Sequence, residues 1–195
     1  TTAGNRLNTV YGFGRITGLS VNNEGMLAVC DYENGSLVFL ESTAAVIRTL
    51  GEDIDAPLSV DYCRKGDFFW LADSCRLKTV SMDGKVTVVG EQPDIITSIS
   101  SFTESAACWL LTEHEHTGDV RALKIGAAGE TLAEAGGFKE ALSVVSVDSD
   151  GGCLVADTGN GRIVRLDSEG GKAGGMAYFT SPRHVVREYN TEVEK

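Results

Sequence analysis

Four acidic residues recur along the chain at near-constant intervals. Asp31, Asp73, Glu113 and Asp157 are separated by 42, 40 and 44 residues, and each closes a short apolar run. Carboxylates placed this way can do one of two things. If all four converged on one axis, their oxygens would suit Ca²⁺, a hard cation that takes several carboxylate ligands. If each stays in its own turn, it accepts hydrogen bonds from that turn's backbone amides, as Asp commonly does where a strand ends. The second reading explains why the residue returns once per unit. The turns that follow are also polar or small: Tyr32–Ser36, Ser74–Arg76, His114–Gly118 and Thr158–Gly161. On it the four are structural, and no metal or other cofactor is expected.

His114-Glu115-His116 is the other metal-like pattern. On a strand, alternation would put both imidazoles on one face, as half of a zinc site. The stretch Glu113–Asp119 is polar, however, and Gly118 interrupts it, so it reads as a lengthened, solvated loop. The remaining histidine, His184, is distant in sequence, and no third ligand is evident. The five cysteines, at 30, 63, 75, 108 and 153, form no CxxC pair. Cys30, Cys108 and Cys153 sit inside apolar runs, where a thiol behaves as a small hydrophobe. That favours reduced thiols in an intracellular protein. A secreted chain with one or two bridges is the alternative, and the sequon Asn34-Gly35-Ser36 suits it. No Ser-His-Asp order, glycine-rich phosphate loop or Cys-His pairing is present.

Charge and length narrow the field. With 17 Lys+Arg against 28 Asp+Glu the chain carries a net charge of −11. Such a chain repels phosphate backbones, and the basic residues Arg162, Arg165, Arg183 and Arg187 make only a thin patch, so nucleic acid is not an expected partner. The longest apolar runs (Met26–Cys30, Phe68–Ala72 and Ala106–Leu111) fall far short of the roughly 20 residues of a membrane helix. No basic stretch followed by an apolar run marks a signal peptide, so a soluble chain without membrane insertion is expected. The chain begins at Thr1 rather than Met, which reads as a processed or excised piece. Its 195 residues suffice for one domain with a core of its own.

The elements that must position these residues form a repeat. Gly151–Gly170, Glu24–Thr43, Gly66–Gly84 and Ala106–Gly129 share one layout: an apolar strand, the acidic residue, a polar turn and a second apolar strand. A second marker has the same period. Short strands close at Gly12, Gly51, Gly90, Gly136 and Gly175, spaced by 39, 39, 46 and 39 residues. Each unit also opens with a strand, at Leu19-Ser20-Val21, Leu58-Ser59-Val60, Ser98-Ile99-Ser100, Leu142-Ser143-Val144 and His184-Val185-Val186. A period near 42 with about four short strands per unit is the pattern of a β-propeller blade. Only Thr131–Ala141 invites a helix, and Gly136-Gly137 breaks it, so it reads as strand and loop.

The segment VADTGNGRIVRLDSEG around Asp157 resembles the NHL repeat, and the segments around Asp31 and Asp73 follow it less closely. The resemblance spans roughly residues 10–190 and implies an all-β, NHL-like propeller of four-stranded antiparallel blades, near 16–51, 55–90, 95–136 and 140–175. The ends, 1–14 and 180–195, would form part of a further blade. Two versions stand: a five-bladed ring with one reduced blade, or a piece of a larger, six-bladed propeller.

A propeller presents loops around a central channel, and the fold hosts many functions. The expected function is a non-catalytic protein-binding or scaffold module with another protein as partner, a small-molecule ligand being the lesser option. The loops before each opening strand form the expected rim, with Arg15, Asp55, Asp94, Glu140, Arg183 and His184. The alternative is a propeller hydrolase, lactonase or lyase with a divalent metal in the channel. Calcium-dependent propeller lactonases carry Glu and Asn ligands there. The blade openings of this chain supply neither, and only Glu140 lies one residue before one. Amidating lyases with NHL-like propellers use three channel histidines, where this chain offers His184.

Overall fold

The computed structural model describes residues 8–177 and 179–185. Four antiparallel sheets follow one another along the chain, each a four-strand meander. The first holds β1 (Ile16–Val21), β2 (Leu27–Asp31), β3 (Ser36–Leu40) and β4 (Val46–Leu50). The second holds β5 (Pro57–Cys63), β6 (Phe68–Asp73), β7 (Arg76–Ser81) and β8 (Val86–Glu91). The third holds β9 (Ile95–Ser101), β10 (Cys108–Glu113), β11 (Asp119–Ile125) and β12 (Thr131–Lys139). The fourth holds β13 (Ala141–Val147), β14 (Gly152–Asp157), β15 (Arg162–Leu166) and β16 (Lys172–Ala177). These are blades 1 to 4 of a β-propeller. Among the described residues the only helical element is a 3₁₀ turn, Thr158–Asn160.

Burial explains the composition of each strand. The second strand of every blade is almost wholly buried, between two sheets in blades 2 and 3 and against one sheet in blades 1 and 4. These four strands are therefore the near-continuous apolar runs LAVCD, FFWLAD, CWLLTE and GCLVAD. The outermost strands β4, β8 and β12 face solvent on one side and mix apolar with polar residues. The core is divided into seams. Cys30, Phe39, Val60 and Phe69 fill the seam between blades 1 and 2. Trp70, Leu77, Ile99 and Leu110 fill that between blades 2 and 3, and Trp109, Leu111, Val144 and Val155 that between blades 3 and 4.

The turn joining the third and fourth strands has one design in all four blades. The amides of Ala44, Gly84, Gly129 and Gly170 bond back to the carbonyl three residues earlier, and each residue has positive φ. This is a type I turn followed by a left-handed residue, a common hairpin solution that favours Gly. At Gly129 the choice is also steric, since a Cβ would stand 2.4 Å from the Val89 carbonyl oxygen. Gly136-Gly137, expected to break β12, instead lie within it. The register steps from Ala122↔Ala135 to Val120↔Phe138, so the glycines form a bulge that lets the strand run on to Lys139.

The opening strands β1, β5, β9 and β13 stand side by side. They are tied by side chains rather than by a shared ladder. Ser59 Oγ accepts the Ile99 amide (3.1 Å), Ser98 Oγ accepts that of Val144 (3.3 Å), and Ser143 Oγ accepts that of Val185 (3.4 Å). Two residues further on, Ser20 Oγ accepts the Tyr62 amide (2.9 Å), Asp61 Oδ2 that of Ser101 (2.7 Å), and Ser100 Oγ that of Ser146 (2.9 Å). Gly18 takes the serine position in blade 1. A Cβ there would lie 3.2 Å from Ser59 Cα and the Val60 nitrogen, so a side chain would require the adjacent strand's backbone to give by a few tenths of an ångström. The bond from Val185 places that residue where the opening strand of a fifth blade would begin. Residues 186–195, which hold the rest of the expected closing strand, lie outside the described residues, as do residues 1–7. Of the N-terminal stretch, Val10 and Phe13 pack on Val29, Val38 and Leu40 of blade 1.

Asp61 is the strongest of these ties. It also accepts the Ser101 hydroxyl (2.9 Å) and that of Ser20 (3.3 Å). Hydrogen bonds to charged acceptors contribute about 1.5–3 kcal/mol each, less where water competes. Asp61→Ala is expected to cost about 2–3 kcal/mol in total, lowering Tm by several degrees at this chain length. Asp61→Asn, which keeps an acceptor, should recover at least half. Thermal melts that fail to separate the three proteins would remove Asp61 from this role.

Candidate functional site

Antiparallel pairing puts the end of each second strand beside the start of its opening strand. The pairs are Ile16↔Asp31, Pro57↔Asp73, Ile95↔Glu113 and Ala141↔Asp157. The acidic quartet and the loops before the opening strands therefore share one end of the propeller. Within that end, each member of the quartet stays in its own blade.

Three of the four are buried and surrounded by donors. Asp31 accepts the Gly14 amide (3.1 and 3.3 Å) and Asn34 Nδ2 (2.7 Å). Asp73 accepts the amides of Asp55 (3.1 Å) and Ala56 (2.6 Å), and pairs with the buried ammonium of Lys78. Asp157 accepts the Lys139 amide (2.8 Å), Asn160 Nδ2 (3.0 Å) and Arg162 Nε (2.6 Å). The amide donors sit 17 or 18 residues upstream, in the loop before the opening strand or, for Lys139, at the end of β12, not in the turn that follows as expected. Strand register brings that segment alongside, while the following turn supplies only side chains. Glu113 is half-buried and, among the described residues, receives no such amide. Blade 3 instead holds its loop through Arg121, which bonds Asp94 (2.6 Å) and Glu134 (3.0 Å).

The rim residues separate accordingly. Arg15 is exposed, its guanidinium 5.1 Å from the centre of the Tyr32 ring. Asp55 is exposed and lies 3.4 Å from Arg76. Glu140, Arg183 and His184 are exposed as well, Glu140 on a left-handed backbone (φ +48°). Asp94 turns inward to Arg121, its side chain largely buried, and does not join them. His114 and His116 lie in the exposed hairpin loop, with ring centres 6.0 Å apart. They flank a cleft of about 530 Å³ shared with Cys75 and Asp94. His114 Nδ1 accepts the amides of His116 (3.3 Å) and Thr117 (3.2 Å), so that nitrogen is occupied.

At the opposite end lies a second cleft, of about 520 Å³, lined by Asp61, Tyr62, Arg64, Ser101 and Thr103 among others. The Tyr62 hydroxyl donates to Asp67 (2.6 Å), and burial with this bond pushes its pKa up to about 12. Sequence reasoning passed over this cleft. The available signal was the serine in the opening triplets of blades 1 to 4, whose partners lie one blade away.

Among the described residues, no group of three or more His, Cys, Asp or Glu is arranged to hold a metal ion. With their oxygens already receiving amide, ammonium and guanidinium donors, the three aspartates are expected to need no divalent ion. Excess chelator, or added millimolar Ca²⁺, should leave Tm unchanged within about a degree. A site occupied at 100 times its Kd would contribute about 2.7 kcal/mol, a shift of several degrees. A shift of that size would make Asp31, Asp73, Glu113 and Asp157 ligands after all.

No protein-family model matches the chain, and no curated protein matches it in sequence. Solved structures do match. A streptogramin B lyase structure aligns at a TM-score of 0.67 and 13% identity, over 86% of this chain and 56% of its own. Hydrazine synthase of Kuenenia stuttgartiensis aligns at 0.59 and 12% identity, over 78% of this chain and 54% of its own. Both are β-propellers, and this chain spans about half the length of each.

Proposed function

We propose that the chain is an NHL-type propeller that acts as a non-catalytic binding or scaffold module, with another protein docked on the loop face. The NHL assignment is supported by blade 4, where Asn160 and Arg162 both donate to Asp157, the three polar positions of the motif acting as one unit. One observation carries the binding role. Three of the four recurrent carboxylates of this face are engaged in holding backbone amides, while Arg15, Asp55, Glu140, Arg183 and His184 stand exposed around them with mixed charge. A polar, mixed-charge rim suits recognition of a protein surface of complementary charge.

The test uses the wild-type chain and a variant with Arg15→Glu, Glu140→Arg and Arg183→Glu together. These residues are exposed, so the variant should fold. A protein retained by the wild type, once purified, should bind the variant at least tenfold more weakly, and wild-type binding should weaken with added salt. Indifference to both the charge reversals and salt would overturn the reading. The enzyme alternative has one observation behind it, the likeness to a structure named as a lyase. At 13% identity that likeness concerns the fold, and a chelator-sensitive Tm is the result that would favour a channel metal.

A further inference from the structure

The serines that tie the opening strands give the blades a common origin for counting. Opposite Gly18, Ser59, Ser98 and Ser143, the second strands carry Cys30, Ala72, Leu111 and Ala156. The residue after each of these is Asp31, Asp73 or Asp157 in blades 1, 2 and 4, and Thr112 in blade 3. Their partners on the opening strands are Ile16, Pro57, Ala141 and Ile96. Glu113 lies one residue beyond, so by register Thr112 occupies the place of the buried aspartates. Thr112 is 0% exposed, and its hydroxyl has no hydrogen-bond partner among the described residues.

In the other blades the carboxylate at this place receives the amide two residues before its opening-strand partner, that of Gly14, Asp55 or Lys139. Asp94 is the equivalent residue in blade 3, and among the described residues no carboxylate receives its amide. The cross-strand arginine is kept. Arg162 stands opposite Asp157 and bonds it, whereas Arg121 stands opposite Thr112 and reaches Asp94 instead. The acid of this clamp has moved from the strand to the loop. Arg121 is 38% exposed and is shared with Glu134. A guanidinium pair open to water is weak and screened by salt, unlike amide bonds to a buried carboxylate. The closed loop also leaves the Thr112 hydroxyl unpaired, a cost that admitting water relieves. Pro93, Asp94 and Ile95 of this loop line the cleft of about 530 Å³ together with Ser74, Cys75 and His116.

We propose that Gln92–Ile95 is a gate over the cleft between blades 2 and 3, latched by Arg121 on Asp94 and opening more readily than the corresponding segments of the other blades. The Gln92 and Ile96 amides flank the gate and bond the Cys75 and Ser74 carbonyls of blade 2, so their protection reports its opening.

Native-state hydrogen exchange is the test. Protection at Gln92 and Ile96 should be about tenfold lower than at Asp55, Ala56 and Lys139, and should fall further in molar salt while those three hold. Asp94→Asn should lower it again and abolish its salt dependence. Asp94→Asn combined with Thr112→Asp returns the acid to the strand, opposite Arg121, and should raise protection to that of the other three. Cys30, Cys63, Cys108 and Cys153 are buried and Cys75 is partly exposed, so maleimide labelling of Cys75 should follow the same order. Protection at Gln92 and Ile96 equal to that at Asp55, Ala56 and Lys139 overturns the proposal. Lower protection that is indifferent to salt and to Asp94→Asn overturns it equally. If the double variant does not fold, the wild type and Asp94→Asn still decide.

Discussion

Asp73→Ala is expected to destabilise the fold by about 3–5 kcal/mol, the range for removing one partner of a buried ion pair. Asp73 and Lys78 have side chains only 1 and 2% exposed, so the ammonium left behind would have neither counter-charge nor water. The same substitution also strips the acceptor from the Asp55 and Ala56 amides and frees the loop that carries Asp55 on the rim. The loss is a large part of the 5–15 kcal/mol typical of a domain. Asp73→Ala with Lys78→Met removes the stranded charge and should be more stable than Asp73→Ala alone, though still below wild type because the amides stay unpaired. Urea titrations of the three proteins decide this. A single variant within about 1 kcal/mol of wild type, or a double variant no better than the single, would show that the pair does not hold the loop.

The second large effect is alkaline. Cys30, Cys108 and Cys153 are fully buried, each in a seam between blades, and burial pushes all three thiols well above the ordinary value of 9.0. In the folded chain they stay protonated, whereas the unfolded chain ionises them above pH 9. The unfolded state then binds fewer protons, so stability is intact below pH 9 and falls as pH rises beyond it. One unit above that value the loss is about 1.4 kcal/mol per thiol, roughly 4 kcal/mol for the three. Denaturant midpoints at pH 8, 9 and 10 should therefore be nearly flat and then drop sharply. Cys108→Ala, less stable at pH 8 because of the cavity it leaves, should show a shallower drop. A flat profile to pH 10 would mean that these thiols ionise in place.

The blades were legible because their period is written twice, in the acidic residues and in the closing glycines. The second strands could be recognised as buried from their unbroken apolar runs, and the His114–Gly118 segment as a loop from its polarity. What the sequence did not disclose depends on contacts a blade apart or a loop away. The donors to Asp31, Asp73 and Asp157 come from 17 or 18 residues upstream, and only the strand register reveals which segment that is. Asp94 reads as a rim charge, but Arg121, 27 residues later, draws it inward. Gly136-Gly137 reads as a break because glycine weakens a strand, whereas pairing with β11 carries the strand through as a bulge. The role of the opening-strand serines appears only when two blades are adjacent.

Those serine ties have a bearing on how the protein is made. Every tie joins residues 40 to 46 apart, so no blade needs a contact from beyond its immediate neighbour to seat. On a ribosome that adds about 5–20 residues per second, one blade emerges every 2–8 s or so. That is long compared with the microseconds in which hairpins form. Each sheet can therefore dock on its predecessor before the next is synthesised, and the nascent chain never holds more than about one blade's worth of unburied strand.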